Sequence, residues 1–306
     1  MRSTTSHAAG SGAARFRQFL RNYGWAYAFI AVPVLLFLVF TLYPVGWAFV
    51  ISFQKYGILK STWVGFDNYT YMFKDDVFWK SMRNTVIFTI GTVPVNILIS
   101  FGLAFLIFQL KQRAQTFFKA VLYLPTVASG VTLSIVWIAI FDPTPSGMLN
   151  RLLIQLGLDP VIWLGQKSTA LFSLMLMSWL GSHGSGIILY LAAMGGIPKS
   201  LYEAADIDHA SGWKKFSRIT WPLLKPTTLY LLVTGVITSF QVFISVYLMT
   251  QGGPDFATTT IAYLIYQTAF NFNQFGLASA QAFVLAAVIV IVSVLQFKFF
   301  STDIEY

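Results

Sequence analysis

Six stretches of this 306-residue chain contain no Asp, Glu, Lys or Arg: residues 22–54, 84–110, 120–141, 168–198, 226–254 and 256–297. Each exceeds the roughly 20 residues that an α-helix needs to cross the hydrocarbon core of a bilayer. Only 10% of the residues are charged, against about a quarter in an ordinary water-soluble domain. Such a chain cannot cover a surface that faces water. Backbone in contact with lipid must satisfy its own hydrogen bonds, which makes helices the expected form. The windows therefore predict an all-α polytopic membrane protein with six transmembrane helices.

The last window is long enough for two helices, which would place the termini on opposite sides. Its middle, Gln267 to Gly276, is too polar for lipid. We read residues 258–270 as an external helix near the interface and 277–297 as the sixth span. Thirteen of the twenty Lys and Arg residues fall on one side of this topology. By the positive-inside rule that side, with both termini, is cytoplasmic. Residues 1–26, rich in arginine and without a cleavable apolar core, read as a cytoplasmic N-terminal tail. Residues 27–300 then form the transmembrane domain, with a cytoplasmic connection at 195–226, and 301–306 form a C-terminal tail. The net charge of +9 is a topology signal, so no nucleic-acid partner is expected.

No acid or base sits deep in any span, whereas ion-coupled carriers commonly place one there despite its cost. Sodium held by backbone carbonyls of broken helices remains compatible with this pattern. Any cargo is expected to be neutral and polar. With no cysteine and only His7, His183 and His209, no metal cluster is expected. No G-x-x-x-x-G-K-[S/T] phosphate loop occurs either. Paired intramembrane carboxylates and a nucleophile with its base are also missing, so nothing marks an enzyme. Polar residues in mid-span usually face another helix or a water-filled path. Ser178, Trp179, Ser182 and His183 in the fourth window, with Ser239, Phe240 and Gln241 in the fifth, are the candidates for a cargo path. Helix packing through Gly181, Gly184 and Gly186 is the alternative reading of the fourth.

The connection at 195–226 carries helix signals of its own. Ser200 and Glu203 have capping-box spacing and predict a helix from Leu201. Gly212 is suited to end that helix in a left-handed cap. A second amphipathic piece, with Trp213, Phe216 and Ile219 on one side, is expected to lie along the bilayer towards Pro222. This could be an interfacial hairpin, or a short helix whose Glu203, Ala204 and Ala205 fit a partner's groove.

Glu203, Ala204 and Ala205, then Asp208, Ala210, Gly212 and Trp213, then Ile219 and Trp221-Pro222, resemble the coupling loop of binding-protein-dependent importer permeases. The likeness is to the sugar branch, the maltose and glycerol-phosphate type. Two positions depart from the pattern: His209 stands where Gly is usual and Trp221 where Leu is usual. Asn84-Thr85, Leu122 to Pro125, Trp137 and Gly147-x-x-Asn150 are similar to the same family. So are Thr250-Gln-Gly-Gly-Pro254, Thr258 to Thr260, Tyr266, Phe270 and Gly276-x-Ala-Ser-Ala280. The likeness runs from about Tyr27 to the C-terminus. It implies the type I fold of ABC importer permeases in a bacterial cytoplasmic (inner) membrane. It also implies a second permease subunit as heterodimer partner, two cytoplasmic ATPase subunits and an extracytoplasmic sugar-binding protein. This chain would hold no cofactor, ATP and Mg belonging to the ATPases. Ser200, Glu203, Ala204, Ala205, Asp208, Ala210 and Gly212 would be the residues that meet the ATPase.

Overall fold

The computed structural model describes residues 12–56, 61–181 and 183–300, with side chains from Arg21 onward. Ser182, one of the cargo-path candidates, lies outside these residues, as do residues 1–11 and the tail at 301–306.

The first span joins α1 (Gly12–Phe37), a π turn at Leu38–Leu42 and α2 (Tyr43–Ile51). Helix therefore begins within the stretch read as tail. An antiparallel hairpin follows, β1 (Gln54–Tyr56) with β2 (Ser61–Trp63), Lys55 opposite Thr62. A short helix α3 (Asp67–Lys74) leads to the second span, α4 (Asp76–Phe108). Asp75 starts α4 by accepting the Val77 N–H at 2.9 Å.

The third span is broken. Helix α5 (Gln112–Val127) meets α6 (Gly130–Ile140) at 95°. The window at 120–141 predicts one crossing helix, but Pro125 weakens the last turn of α5 and Ala128 and Ser129 are extended. Ser129 then caps α6 through the Thr132 N–H at 3.1 Å. Beyond α7 (Met148–Gln155), the fourth span is bent by 43° between α8 (Ala170–Leu180) and α9 (Gly184–Gly195). Counting each bent pair as one crossing, with helical stretches at Arg21–Ile51, Asp76–Phe108, Gly212–Met249 and Phe275–Phe300, gives six spans.

The connection between the fourth and fifth spans holds α10 (Lys199–Ile207) and α11 (Gly212–Lys215). Through a π turn at Phe216–Thr220, α11 continues into α12 (Trp221–Phe240), with α13 (Ile244–Met249) at its far end. The amphipathic piece at 213–222 is thus the start of the fifth span, not a separate helix lying along the bilayer. Pro222 falls in the first turn of α12, directly after the π turn.

After α13 come α14 (Ile261–Tyr266), a π turn at Gln267–Asn271 and the sixth span, α15 (Phe275–Phe300). The external helix predicted for 258–270 is corrected here. Ile261 and Leu264 are buried in one cluster with Phe78, Val93, Val236 and Leu285, so α14 plugs the core between α4 and α15. Its polar surroundings are satisfied from inside the protein. Asn84 donates to the Phe256 and Thr259 carbonyls at 2.8 and 3.0 Å, and the Thr85 hydroxyl accepts the Ile261 N–H at 3.0 Å. Thr258 and Thr259 close the same loop by donating to the Gly253 and Gly252 carbonyls. On its outer side Asp255 pairs with Lys167 at 2.6 Å, and that ammonium holds the carboxyl below the usual carboxylate range.

Candidate functional site

Two places combine polar chemistry with accessibility: a cavity between the spans, and the elbow formed by the connection at 195–226.

The cavity, of about 470 Å³, lies between α4, α8, α9, α12 and the broken third span. Helix α4 presents Thr92, Asn96 and Ser100 to it. This i, i+4, i+8 spacing puts all three on one face, over about 12 Å of helix axis. From α12 come Thr234, Thr238 and Ser239, and from the fourth span Ser178, His183 and Ser185. Asn96 donates to the Ser178 hydroxyl at 2.8 Å, while the Asn96 Oδ1 is buried with no partner. Ser239 donates to Thr89 at 3.0 Å. Leu133, Trp137 and Leu174 add apolar wall. Among the described residues, no Asp, Glu, Lys or Arg lines the space.

Of the residues singled out for a cargo path, Ser178, His183 and Ser239 line this cavity. Trp179, Phe240 and Gln241 do not. The Trp179 indole donates to the Gly91 carbonyl at 2.9 Å, which ties α8 to α4. Phe240 is buried in the core beside α14. Gln241 is exposed at the end of α12. The glycine-based packing reading of the fourth window also has a counterpart. A side chain at Gly184 would meet Thr126 Oγ1 at 2.6 Å and Tyr123 Cα at 2.7 Å, so α9 rests directly on the backbone of α5. Sequence reading missed the α4 stripe altogether. Its signal was present as single polar residues four apart in an otherwise apolar window, rather than as a polar cluster.

The elbow differs from its sequence reading at both ends of α10. Pro198, with φ −58° and ψ 127°, occupies the N-cap, and no side chain caps the helix. The Ser200–Glu203 capping box is therefore not formed, and the helix starts at Lys199 instead of Leu201. At the other end His209, not Gly212, takes the left-handed conformation, with φ 51°. The Ala210 N–H reaches the Ala205 carbonyl at 2.9 Å and the His209 N–H reaches Asp206 at 3.0 Å, closing the helix. Gly212 opens α11 behind the extended Ser211. Since a non-glycine residue carries a steric cost in that region, His209→Gly is expected to stabilise the elbow by about 1 kcal/mol. Hydrogen exchange of α10 amides in the wild type and variant measures this; faster exchange in the variant would show that His209 holds the turn by other means.

The elbow is fixed to the bundle yet open on its far side. Tyr202 and Thr220 share a hydrogen bond at 2.8 Å, and Lys215 pairs with Asp206. Phe216 packs against Phe101, Phe105 and Trp221, which locks the start of the fifth span to α4. Ser200, Glu203, Ala204, Asp208 and Gly212 are exposed, while Ala205 and Ala210 are half-buried. Ile207 is 80% exposed and Trp213 73%. A rigid protrusion carrying an acid and bare apolar side chains is suited to fit a complementary groove.

Comparison with known proteins places this geometry. Residues 96–302 match the family of binding-protein-dependent transport system inner membrane components. The arabinooligosaccharide transport permease AraP of Bacillus subtilis is 34% identical over 274 residues, covering 89% of this chain and 87% of that protein. The lactose transport permease LacF of Rhizobium radiobacter is 33% identical, covering 92% and 96%. In fold, the chain superposes on a chain of a bacterial ABC transporter that imports the acidic polysaccharide alginate. The TM-score is 0.79 at 24% identity, over 93% of this chain and 97% of that one. The chain belongs to the family of binding-protein-dependent transport inner membrane components, as a multi-pass, non-enzymatic permease subunit of the ABC sugar-transport type.

Proposed function

We propose that this permease passes a neutral sugar or oligosaccharide through the cavity between α4, α8, α9 and α12, in the cytoplasmic membrane of a bacterium. The cargo arrives on an extracytoplasmic binding protein, and a second permease subunit completes the path. Two cytoplasmic ATPases, which carry ATP and Mg, grip the elbow of each permease; Glu203 makes the contact on this one. Closure of the ATPases on ATP moves α10, and the Phe216 cluster carries that movement to α4 and the fifth span.

The observation that carries the choice of cargo is the lining itself. Hydroxyls and one amide suit sugar OH groups, and Trp137 offers an apolar face for sugar C–H bonds. An anion would meet no Lys or Arg there to offset its desolvation. The test is uptake by the assembled transporter in proteoliposomes. Neutral saccharides should accumulate, and an oligouronate should neither accumulate nor compete. Competition by the oligouronate would overturn the neutral assignment. Within this path Asn96→Leu removes the amide and leaves the Ser178 hydroxyl without its donor. It is expected to lower uptake at subsaturating sugar about tenfold, as for one lost polar contact in a buried site. Unchanged uptake would remove Asn96 from the path.

A further inference from the structure

A second concavity, of about 690 Å³, opens on the extracytoplasmic side between the β1–β2 hairpin, α3 and the turn that starts α15. It shares no lining residue with the central cavity. Its floor is rigid. Asn68 donates to the Ser52 and Gln54 carbonyls at 2.8 and 2.9 Å, tying α3 to the hairpin. Gly276 lies so close to β1 that any side chain there would collide with the Gln54 carbonyl oxygen. Tyr56 meets Phe275 edge to face with 6.5 Å between ring centroids. The glycine of the Gly276-x-Ala-Ser-Ala280 stretch thus serves to build this concavity.

The walls are chemically different from the floor. Lys55, Tyr56, Asp67, Tyr71, Asn273 and Gln274 line the space. Among the described residues, none of these six side chains has a hydrogen-bonding partner within the protein, and Lys55 and Asp67 are in no ion pair. Asn84 and Asn150, in contrast, spend their amides on the protein's own backbone. Tyr71 is 62% exposed, and Asn273 stands in a left-handed turn, with φ 56°. A preformed concavity with uncommitted amides, a carboxylate, an ammonium and two phenol rings matches one ligand class well. Vicinal hydroxyls need mixed donors and acceptors, and the C–H face of a pyranose or furanose ring needs an aromatic plane.

The geometry points to an outer saccharide subsite here, which holds a trailing part of an oligosaccharide while its leading end enters the central cavity. This rests on the saccharide-import reading above. A chain of several sugar units has a trailing part to leave here; a disaccharide has none.

The test is uptake by the assembled transporter of an arabinose hexasaccharide and of lactose, in the wild type, Tyr71→Ala and Asn273→Gly. The glycine variant removes an amide while keeping the left-handed turn, so folding is preserved. Both variants should raise the half-saturation concentration for the hexasaccharide about fivefold, the effect of one aromatic or polar contact, and leave that for lactose unchanged. Equal losses for both sugars would identify a protein-docking surface and overturn the subsite, as would no change for either. Failure of the wild type to import any neutral saccharide would instead overturn the cargo reading, and it is seen before any variant is compared.

Discussion

An Asn150→Leu variant is expected to reach the membrane in much reduced amount and to melt well below the wild type. Asn150 is fully buried in the segment between the third and fourth spans. Its Oδ1 accepts the Val161 N–H at 3.0 Å and the Trp163 indole N–H at 2.9 Å. Its Nδ2 donates to the Pro143 and Val161 carbonyls at 3.0 and 3.1 Å. One side chain thereby fixes a long irregular connection and sets Trp163 against Phe141, which packs in turn on Trp137 beside the cavity. Leucine fills nearly the same volume but leaves the buried Trp163 indole N–H and the half-buried Val161 N–H without acceptors. Each orphan costs roughly 1–3 kcal/mol, so the loss is about 2–6 kcal/mol. In detergent this should lower the melting temperature by roughly 5–15 °C. A melting curve that matches the wild type would mean that this connection is not held by Asn150.

The second large effect is functional and leaves the fold intact. Glu203→Ala is expected to give normal amounts of inserted protein and normal assembly with the second permease, with sugar-stimulated ATP hydrolysis reduced about thirtyfold. Glu203 is exposed and outside every hydrogen bond and ion pair described for the elbow, so the chain loses nothing by its removal. The cost appears only when a partner's cation is left without its counter-charge, about 2 kcal/mol for a contact closed off from water. ATPase activity still stimulated to the wild-type level by sugar and binding protein would show that Glu203 carries no coupling.

These two residues also show what the sequence made legible. The elbow was readable because its signals are local: Glu203 and the small residues around it sit on a few turns of one segment. Its ends were not, because Pro198 and His209 compete with Ser200 and Gly212 for the capping positions, and backbone geometry decides between them. The charge-free windows located the spans, since the requirement for apolar length acts on each window separately. They missed the sharp break between α5 and α6, which rests on three residues around Pro125. Polar residues that stitch distant segments together were visible only as isolated letters. The backbone that Asn84 binds lies more than 170 positions away, so no pattern in its own neighbourhood reveals the bond. For the same reason residues 258–270 read as lying near the interface, when Asn84 and Thr85 were meeting the Phe256 and Thr259 carbonyls and the Ile261 N–H from inside the bundle. The cavity stripe on α4 was hidden because a helix spreads one face over positions four apart.

The chain contains no cysteine, so a single Ile207→Cys replacement, at a side chain 80% exposed on α10, gives one reporter of where the driving force enters. In the assembled transporter this thiol should be reached by a membrane-impermeant reagent only from the cytoplasmic face. It should also crosslink to the ATPase, with ATP-dependent sugar accumulation lost on crosslinking and restored on reduction. Labelling from the outside, or full accumulation with the crosslink in place, would contradict the account.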